Sequence, residues 1–231
     1  TLIFAAAAAR DLGASEVGLV VPYLAYMRQD RRFQPGEAIT STYFARTLDR
    51  WFDWLVTIDP HLHRRGSLSE IYSIPATVLH AAPSISTWIK DTIRRPVLIG
   101  PDSESEQWVA AVADDVGAPF VVLEKTRRGD RDVEVSVPQV ERWRDHTPVL
   151  VDDIISTART MIQTAGHLKA AGLAPPICIG VHAVFAEDAY EALHAEAGQI
   201  VTCNTIPHAS NAINIMDLLT KGIPNYPVRD I

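Results

Sequence analysis

The chain has 231 residues, of which 47% are hydrophobic and 21% are charged, and its formal net charge at pH 7 is −7. This composition is typical of a globular protein with one large domain or two small ones. The acidic balance and the lack of a dominant basic run argue against nucleic acid as a partner. No apolar stretch reaches the roughly 18 residues of a membrane helix, so we expect no membrane partner.

Apolar runs rich in Val, Ile and Leu alternate with helical patterns along the chain. The first pattern, at 2–14, predicts a helix. Strands are predicted at 16–23, 54–61, 95–102, 119–125, 148–154, 177–185 and 199–206, and helices at 40–52, 103–118, 157–172 and 187–198. Because the apolar runs are continuous rather than alternating, the strands should be buried on both faces. This predicts an α/β fold with mainly parallel sheets.

Three local signals refine this outline. Ser103 and Gly117 are suited to cap the helix predicted between them. The charged segment 124–135 lacks helical periodicity, which predicts a mobile loop or a hairpin. Cys178 and Cys203 lie in apolar runs, as reduced core cysteines of a cytoplasmic protein do, with a disulfide as the less favoured alternative.

Two features concern the limits of the chain and its parts. The polar segment 64–76 contains glycine and serines and separates two α/β halves. The sequence begins at Thr1, without methionine and inside a helical pattern, so we expect further residues upstream.

Chemically active residues follow several predicted strands. They are His61, Asp102, Lys125, Asp152 and Asp153. In open α/β sheets, ligands bind at the carboxyl ends of the strands. This placement favours an enzyme over a protein with a purely structural role.

The segment VLVDDIISTART, at 149–160, carries the strongest of these signals. Two acids and the hydroxyls of Ser156, Thr157 and Thr160 stand between an apolar strand and an amphipathic helix. Backbone N–H groups of such a turn form an anion site together with the helix N-terminus. The acids suit the hydroxyl groups of a sugar. An ordinary helix cap with solvated acids is the alternative interpretation.

This segment resembles the phosphoribosyl-diphosphate (PRPP) loop of the type I phosphoribosyltransferase fold. Four further segments are similar, in the same order, to those of the ribose-phosphate diphosphokinases, or PRPP synthetases. They are VVPYLAYMRQDRRFQPGEAITSTYFARTL, TIDPHLH, GPD and LEKTRR. A PRPP loop alone would fit many enzymes, whereas the five segments together indicate the synthetase.

The resemblance implies two tandem phosphoribosyltransferase-like domains. The first, at 1–73, would be the partial, ATP-binding domain, and the second, at 74–231, would bind ribose 5-phosphate. About the last 20 residues would pack back on the first domain. The family also has a Phe-x-x-Gly-Glu segment in its ATP site, upstream of the region that matches Thr1.

The resemblance also implies residue roles. Arg28 and Gln29 match ATP-binding residues, Lys125 and Arg127 match catalytic residues, His61 and Asp102 match magnesium-associated residues, and Asp152, Ser156, Thr157, Ala158, Arg159 and Thr160 match the ribose-5-phosphate loop. An imidazole is an unusual ligand for Mg²⁺. The residues alone do not distinguish His61 from His63, and Asp59 is a candidate partner for either. Basic turns such as RQDRR and EKTRR are also common as solvated surface segments.

Two departures from the family pattern concern local shape. Ser156 and Arg159 stand where the family loop has aspartate and glycine. The segment PDSESE, which begins at Pro101, replaces the family's Pro-Asp-x-Gly-Gly. A glycine allows unusual backbone angles and close approach to phosphate. Arg159 would instead supply a phosphate contact or point away along the helix.

The implied activity is transfer of the diphosphoryl group of ATP to the 1-hydroxyl of ribose 5-phosphate, giving PRPP and AMP with Mg²⁺ as cofactor. The resemblance further implies dimers or hexamers in the cytoplasm. Two alternatives remain at this point: a phosphoribosyltransferase that consumes PRPP, and a catalytically weak homologue that binds nucleotide or sugar phosphate and regulates a partner.

Overall fold

The structure is a computed structural model that describes residues 1–100, 106–128, 132–136 and 140–224. It contains two compact units. Unit 1 holds Thr1–His80 together with the C-terminal helix α7 (Met216–Gly222), and unit 2 holds Ala81–Ile215. The domain limits of 1–73 and 74–231 stay a prediction.

Unit 1 is built on a parallel sheet with the strand order β1-β2-β3. Its elements are α1 (Leu2–Asp11), β1 (Gly18–Val20), α2 (Thr40–Leu48), β2 (Trp54–Ile58), β3 (Ala76–Leu79) and α7. The central strand β2 is buried from Leu55 onward. Helix α2 buries Ser41, Ala45 and Leu48, one face of an amphipathic helix, against this sheet's core.

Unit 2 is built on a six-stranded sheet with the order β11-β10-β9-β8-β4-β5, in which every pair is parallel. Its strands are β4 (Pro96–Gly100), β5 (Phe120–Val122), β8 (Thr147–Ile155), β9 (Ile177–Ala183), β10 (Gln199–Cys203) and β11 (Asn211–Ile213). Its helices are α3 (Ala82–Thr92), α4 (Glu106–Val116), α5 (Arg159–Ala170) and α6 (Ala189–Glu196). The predicted α/β class with mainly parallel sheets is confirmed.

The central strands of this sheet are buried along most of their length. After its first residue, β9 is buried throughout, as is β10. Cys178 and Cys203 lie in these strands, where both are buried and neither forms a disulfide, as predicted for core residues. Burial raises the pKa of the Cys178 thiol to about 12, which keeps it neutral at physiological pH.

Strand order indicates which end of the unit 2 sheet is suited to bind a ligand. From β4 the chain moves to β5 at one edge, whereas from β8 it moves through β9 and β10 to β11 at the other. Order therefore reverses between the neighbours β4 and β8. In open α/β sheets, ligands bind outside the carboxyl ends of the strands at such a reversal. The end of β8 is thus the part of unit 2 best placed to bind a ligand.

Two sequence-level signals can be followed in the structure. Segment 124–135 forms part of an antiparallel hairpin of β6 (Glu124–Arg128) and β7 (Asp132–Ser136), one of the two predicted alternatives. Gly117 directly follows helix α4, and its φ of 72° is left-handed. The N–H groups of Gly117 and Ala118 return to the carbonyls of Asp114 and Ala113, which is a Schellman cap. Ser103 lies outside the described residues.

Among the strands and α-helices of the described residues, four were not predicted from the sequence: β3, α3, β11 and α7. Strand β3 has only four residues, none of them fully buried, and β11 has only three, so neither shows the long apolar run of a strand that is buried on both faces. Helix α3 contains Pro, Ser and Thr, which are weak helix formers. Burial of Ile85, Ser86 and Ile89 stabilises it instead.

Candidate active site

The turn between β8 and α5 brings together the acids and hydroxyls of the PRPP-like segment. The predicted strand 148–154 includes Asp152 and Asp153, and β8 runs to Ile155, so the expectation that the two acids follow the strand was wrong. Asp152 is paired with Gly180 in the register with β9, which extends along β8 to Ile155. On the other side, the pairing with β4 ends at Leu150. The two acids therefore lie where β8 has passed the end of β4.

The backbone of this turn is preorganised as an anion cradle. Ala158 has φ 54° and ψ 6°, which is left-handed, and it precedes the first residue of α5. The N–H of Ile162 donates to the carbonyl of Ala158 at 2.8 Å, which closes the first helical turn. The N–H groups of Arg159, Thr160 and Met161 therefore have no acceptor within the helix. A left-handed residue followed by a helical one directs successive N–H groups toward a common point, as anion-binding nests do.

Side chains around the turn are accessible in different degrees. Ser156 and Thr160 are half-buried, whereas Thr157 and Arg159 are exposed and Ala158 is buried. Asp152 and Asp153 are half-buried, and the N–H of Asp153 donates to Oδ1 of Asp152 at 2.9 Å. The turn thus presents two carboxylates, hydroxyl groups and a helix N-terminus at the carboxyl end of the sheet. This combination suits a phosphorylated sugar.

The hairpin that carries the predicted catalytic residues follows β5 directly. Lys125 and Arg127 both lie on β6, where the register pairs them with Val135 and Val133 of β7. Their roles stay predictions. Asp102, predicted to be associated with magnesium, lies outside the described residues.

In unit 1, the segment with the predicted ATP-binding residues is held by its backbone and by Asp30. The carbonyl of Gln29 accepts hydrogen bonds from the N–H and the hydroxyl of Ser41, at 3.3 and 2.9 Å. Asp30 has only 2% of its side chain exposed and pairs with Arg64 at 3.3 Å. By contrast, Arg28 and Gln29 are exposed. The expected cationic cluster therefore contains a buried, paired acid, with Arg28 and Gln29 at the surface.

The predicted metal residue His61 lies in a strained turn directly after β2. Both Asp59 and His61 have positive φ, 37° and 55°, and the N–H of His61 donates to the carbonyl of Asp59 at 2.9 Å. The rings of His61 and His63 lie side by side, with centroids 4.1 Å apart. His61 is half-buried and His63 is exposed, so this turn presents two neighbouring imidazoles.

Sequence reasoning missed His80, which follows the unpredicted strand β3. Its Nδ1 lies 2.8 Å from Oδ1 of the buried Asp59. This hydrogen bond raises the pKa of His80, while partial burial opposes the shift. A prediction of strand β3 would have identified His80, because two parallel neighbouring strands that end together place the residues after them side by side.

A cavity of about 360 Å³ lies at the other end of the unit 2 sheet, where β4 and β5 begin. Lys90, Arg95 and His146 contribute to its lining, together with the residues that end α4. Basic side chains near helix C-termini compensate the helix dipole. We therefore assign this cavity no ligand.

Comparisons with known proteins agree with this architecture. A family model described as the phosphoribosyl transferase domain matches residues 67–214, and the model of the N-terminal domain of ribose phosphate pyrophosphokinase matches residues 1–51. A phosphoribosylpyrophosphate synthetase from Mycobacterium smegmatis has a similar fold, with a TM-score of 0.79 at 23% identity, over 95% of this chain and 74% of that one. Fold and turn together thus define a protein of the phosphoribosyltransferase type.

Curated relatives narrow this class. A ribose-phosphate pyrophosphokinase of Methanopyrus kandleri is 32% identical over 221 residues, which are 94% of this chain and 75% of the relative. One from Sulfurisphaera tokodaii is 31% identical over 213 residues, 90% of this chain and 72% of the relative. The chain belongs to the ribose-phosphate pyrophosphokinase family.

Within the described ranges, none of the helices combines the length and the apolar character needed to cross a bilayer.

Proposed function

We propose that this chain transfers the diphosphoryl group of ATP to the 1-hydroxyl of ribose 5-phosphate, giving PRPP and AMP. The observation that supports this proposal is the β8–α5 turn, whose backbone and side chains suit a sugar phosphate, in a chain that belongs to the ribose-phosphate pyrophosphokinase family. The turn supports ribose 5-phosphate as the acceptor. Membership of the family supports ATP as the donor and diphosphoryl transfer as the reaction.

In this proposal the β8–α5 turn binds ribose 5-phosphate. Asp152 contacts the ribose hydroxyls. The phosphate is held by the backbone of Ala158 and the start of α5, with Ser156, Thr157, Arg159 and Thr160 as side-chain donors. The support for this assignment is physical: the unpaired N–H groups and the positive end of the helix dipole both stabilise an anion.

The residues assigned to ATP and to catalysis are all cationic or amide donors. Arg28 and Gln29 bind ATP, and their exposed side chains are compatible with this role. Lys125 and Arg127 stabilise the charge that develops on the transferring group. Charge stabilisation and positioning supply most of what phosphoryl transfer requires.

Magnesium is the cofactor in this proposal, with His61 and Asp102 as its protein ligands. The two histidines of unit 1 fit only in part, because His61 and His63 offer nitrogen and Mg²⁺ prefers oxygen. Protein sites for Mg²⁺ commonly use one or two carboxylates and take the remaining oxygens from substrate phosphates and water. When bound, the ion would neutralise phosphate charge. We also propose that the protein is cytoplasmic and assembles as a dimer or hexamer.

The test is a coupled assay of AMP release from ATP. We expect release to require ribose 5-phosphate and to stop with a chelator until Mg²⁺ is restored. Lys125→Ala should lower kcat by about 100-fold or more, the usual cost of one transition-state donor. The matched control is Lys90→Ala, which removes an exposed lysine of α3 paired with Asp115 and should keep full activity.

Two outcomes would contradict the proposal. No AMP release from folded protein that binds ribose 5-phosphate would indicate a homologue without this activity. Full activity of Lys125→Ala would refute the assigned catalytic role while leaving the reaction itself intact.

A further inference from the structure

We propose that His80 is a positioning residue: by its hydrogen bond to Asp59 it holds the turn that presents His61. The functional consequence rests on the proposed function, in which His61 is a metal ligand. The structural part concerns only unit 1 and can be tested without any activity.

The turn that carries His61 is costly to form. Asp59 and His61 both have positive φ, at 37° and 55°, with Pro60 between them. Residues other than glycine reach this region at a cost of about 1–3 kcal/mol each, and they stay there only where the surroundings hold them. An unsupported 59–61 turn should therefore relax to ordinary backbone angles and move the imidazole of His61.

The support comes from the end of β3. The pairing of β2 with β3 runs to Ile58 and Leu79, and the N–H of Asp59 continues it by donating to the carbonyl of Leu79 at 3.0 Å. One residue further, Nδ1 of His80 contacts the Asp59 carboxylate at 2.8 Å. Asp59 is thus fixed through its backbone and through its side chain. The carbonyl of Asp59 in turn accepts from the N–H of His61.

The two partners differ strongly in burial. The side chain of Asp59 is 8% exposed, whereas that of His80 is 70% exposed. Loss of a hydrogen-bond donor is costly for a buried carboxylate, because water does not replace the donor there. The exposed His80 ring has no comparable packing to lose. The hydrogen bond between Asp59 and His80 therefore stabilises the 59–61 turn more than it stabilises the position of the His80 ring.

The atoms of the bond make the proposal specific. A carboxylate only accepts, so Nδ1 of His80 carries the hydrogen and donates. An asparagine amide can place a donor near the position of Nδ1, whereas a glutamine amide lies near the position of Nε2. Replacing His80 by each of them separates an anchoring role from direct contact with a substrate.

The first measurement is steady-state kinetics of His80→Asn, His80→Gln and His80→Ala. We expect Ala and Gln to raise the KM for magnesium–ATP about tenfold, with a smaller change in kcat, and Asn to stay within about twofold of the unsubstituted enzyme. Thr77→Ala, which alters an exposed residue of β3, is the matched control. Retention by Gln with loss by Asn would overturn the proposal, because it would indicate a contact at Nε2.

The second measurement is amide hydrogen exchange at His61 in the protein without nucleotide or metal. His80→Ala should speed exchange of the His61 N–H about tenfold, and His80→Asn should restore its protection. Unchanged exchange in His80→Ala would overturn the inference even in an active enzyme. If the unsubstituted protein releases no AMP, the proposed function fails, but the exchange result still decides whether His80 holds the turn.

Discussion

At the scale of single residues, Arg159 occupies a position where the resemblance led us to expect glycine. The left-handed residue of the turn is Ala158, with φ 54°, and Arg159 begins α5 with an ordinary helical backbone. Ala158 is therefore the residue that bears the strain of a left-handed backbone without glycine, which costs about 1–2 kcal/mol. Arg159 adds a different cost, because a positive charge in the first turn opposes the helix dipole. A bound phosphate would offset it.

We expect Arg159→Ala to stabilise the fold and to weaken the binding of ribose 5-phosphate. Without ligand, the free energy of unfolding should rise by about 0.3–1 kcal/mol, the usual range for a charge at a helix end. The KM for ribose 5-phosphate should rise about tenfold, since a hydrogen bond between charged groups contributes about 1.5–3 kcal/mol. Urea unfolding and the AMP assay measure the two effects.

The other end of the same helix provides the control for this prediction. Lys169 lies in the last turn of α5, where a positive charge is favourable. Lys169→Ala should therefore lower stability slightly and leave the KM unchanged. If Arg159→Ala leaves the KM unchanged as well, Arg159 points away from the phosphate.

At the scale of elements, two glycines of unit 2 illustrate opposite demands of helix and sheet. Gly166 lies inside α5, and a Cβ there would have no atom within 4 Å. Gly180 lies on β9 opposite Asp152, and a Cβ there would come within 2.6 Å of Cγ1 of Ile155. Gly180 is thus required for the close approach of β9 to the end of β8, whereas Gly166 only weakens its helix.

We expect alanine at these two positions to change stability in opposite directions. Gly166→Ala should raise the free energy of unfolding by about 0.5–1 kcal/mol, the gain in helix propensity. Gly180→Ala should lower it by about 1–3 kcal/mol, as overpacked cores do. Chemical denaturation of the two variants, each serving as the control for the other, provides the measurement. Equal effects at both positions would contradict the assigned packing.

At the scale of the whole molecule, the proposed assembly predicts a mass of two or six chains in solution. Helix α1 exposes Phe4 and, just after its end, Leu12, with 79% and 86% of these residues accessible. Covering such exposed apolar side chains with another protein surface lowers the free energy. Light scattering coupled to size exclusion measures the mass. A single chain at every concentration tested would contradict the proposed dimer or hexamer.

Much of the architecture could be predicted because burial on both faces leaves a continuous apolar run. Strands β4, β8, β9 and β10 all show such a run in the sequence, and the α/β class follows from these runs. Elements without it were missed, such as the half-buried β3 and the three-residue β11. The missed strand matters for the site, because it ends beside β2 and positions His80.

The sequence by itself determined the class of fold, because local periodicity suffices for it, and the resemblance of five segments indicated the family, which the curated relatives confirm. Only the tertiary structure decided that the strand order reverses between β4 and β8, that Ala158 rather than Arg159 is left-handed, and that His80 contacts Asp59. These features depend on which strands become neighbours and how far each one extends. Contacts between residues distant in the chain set both, and no local pattern records them.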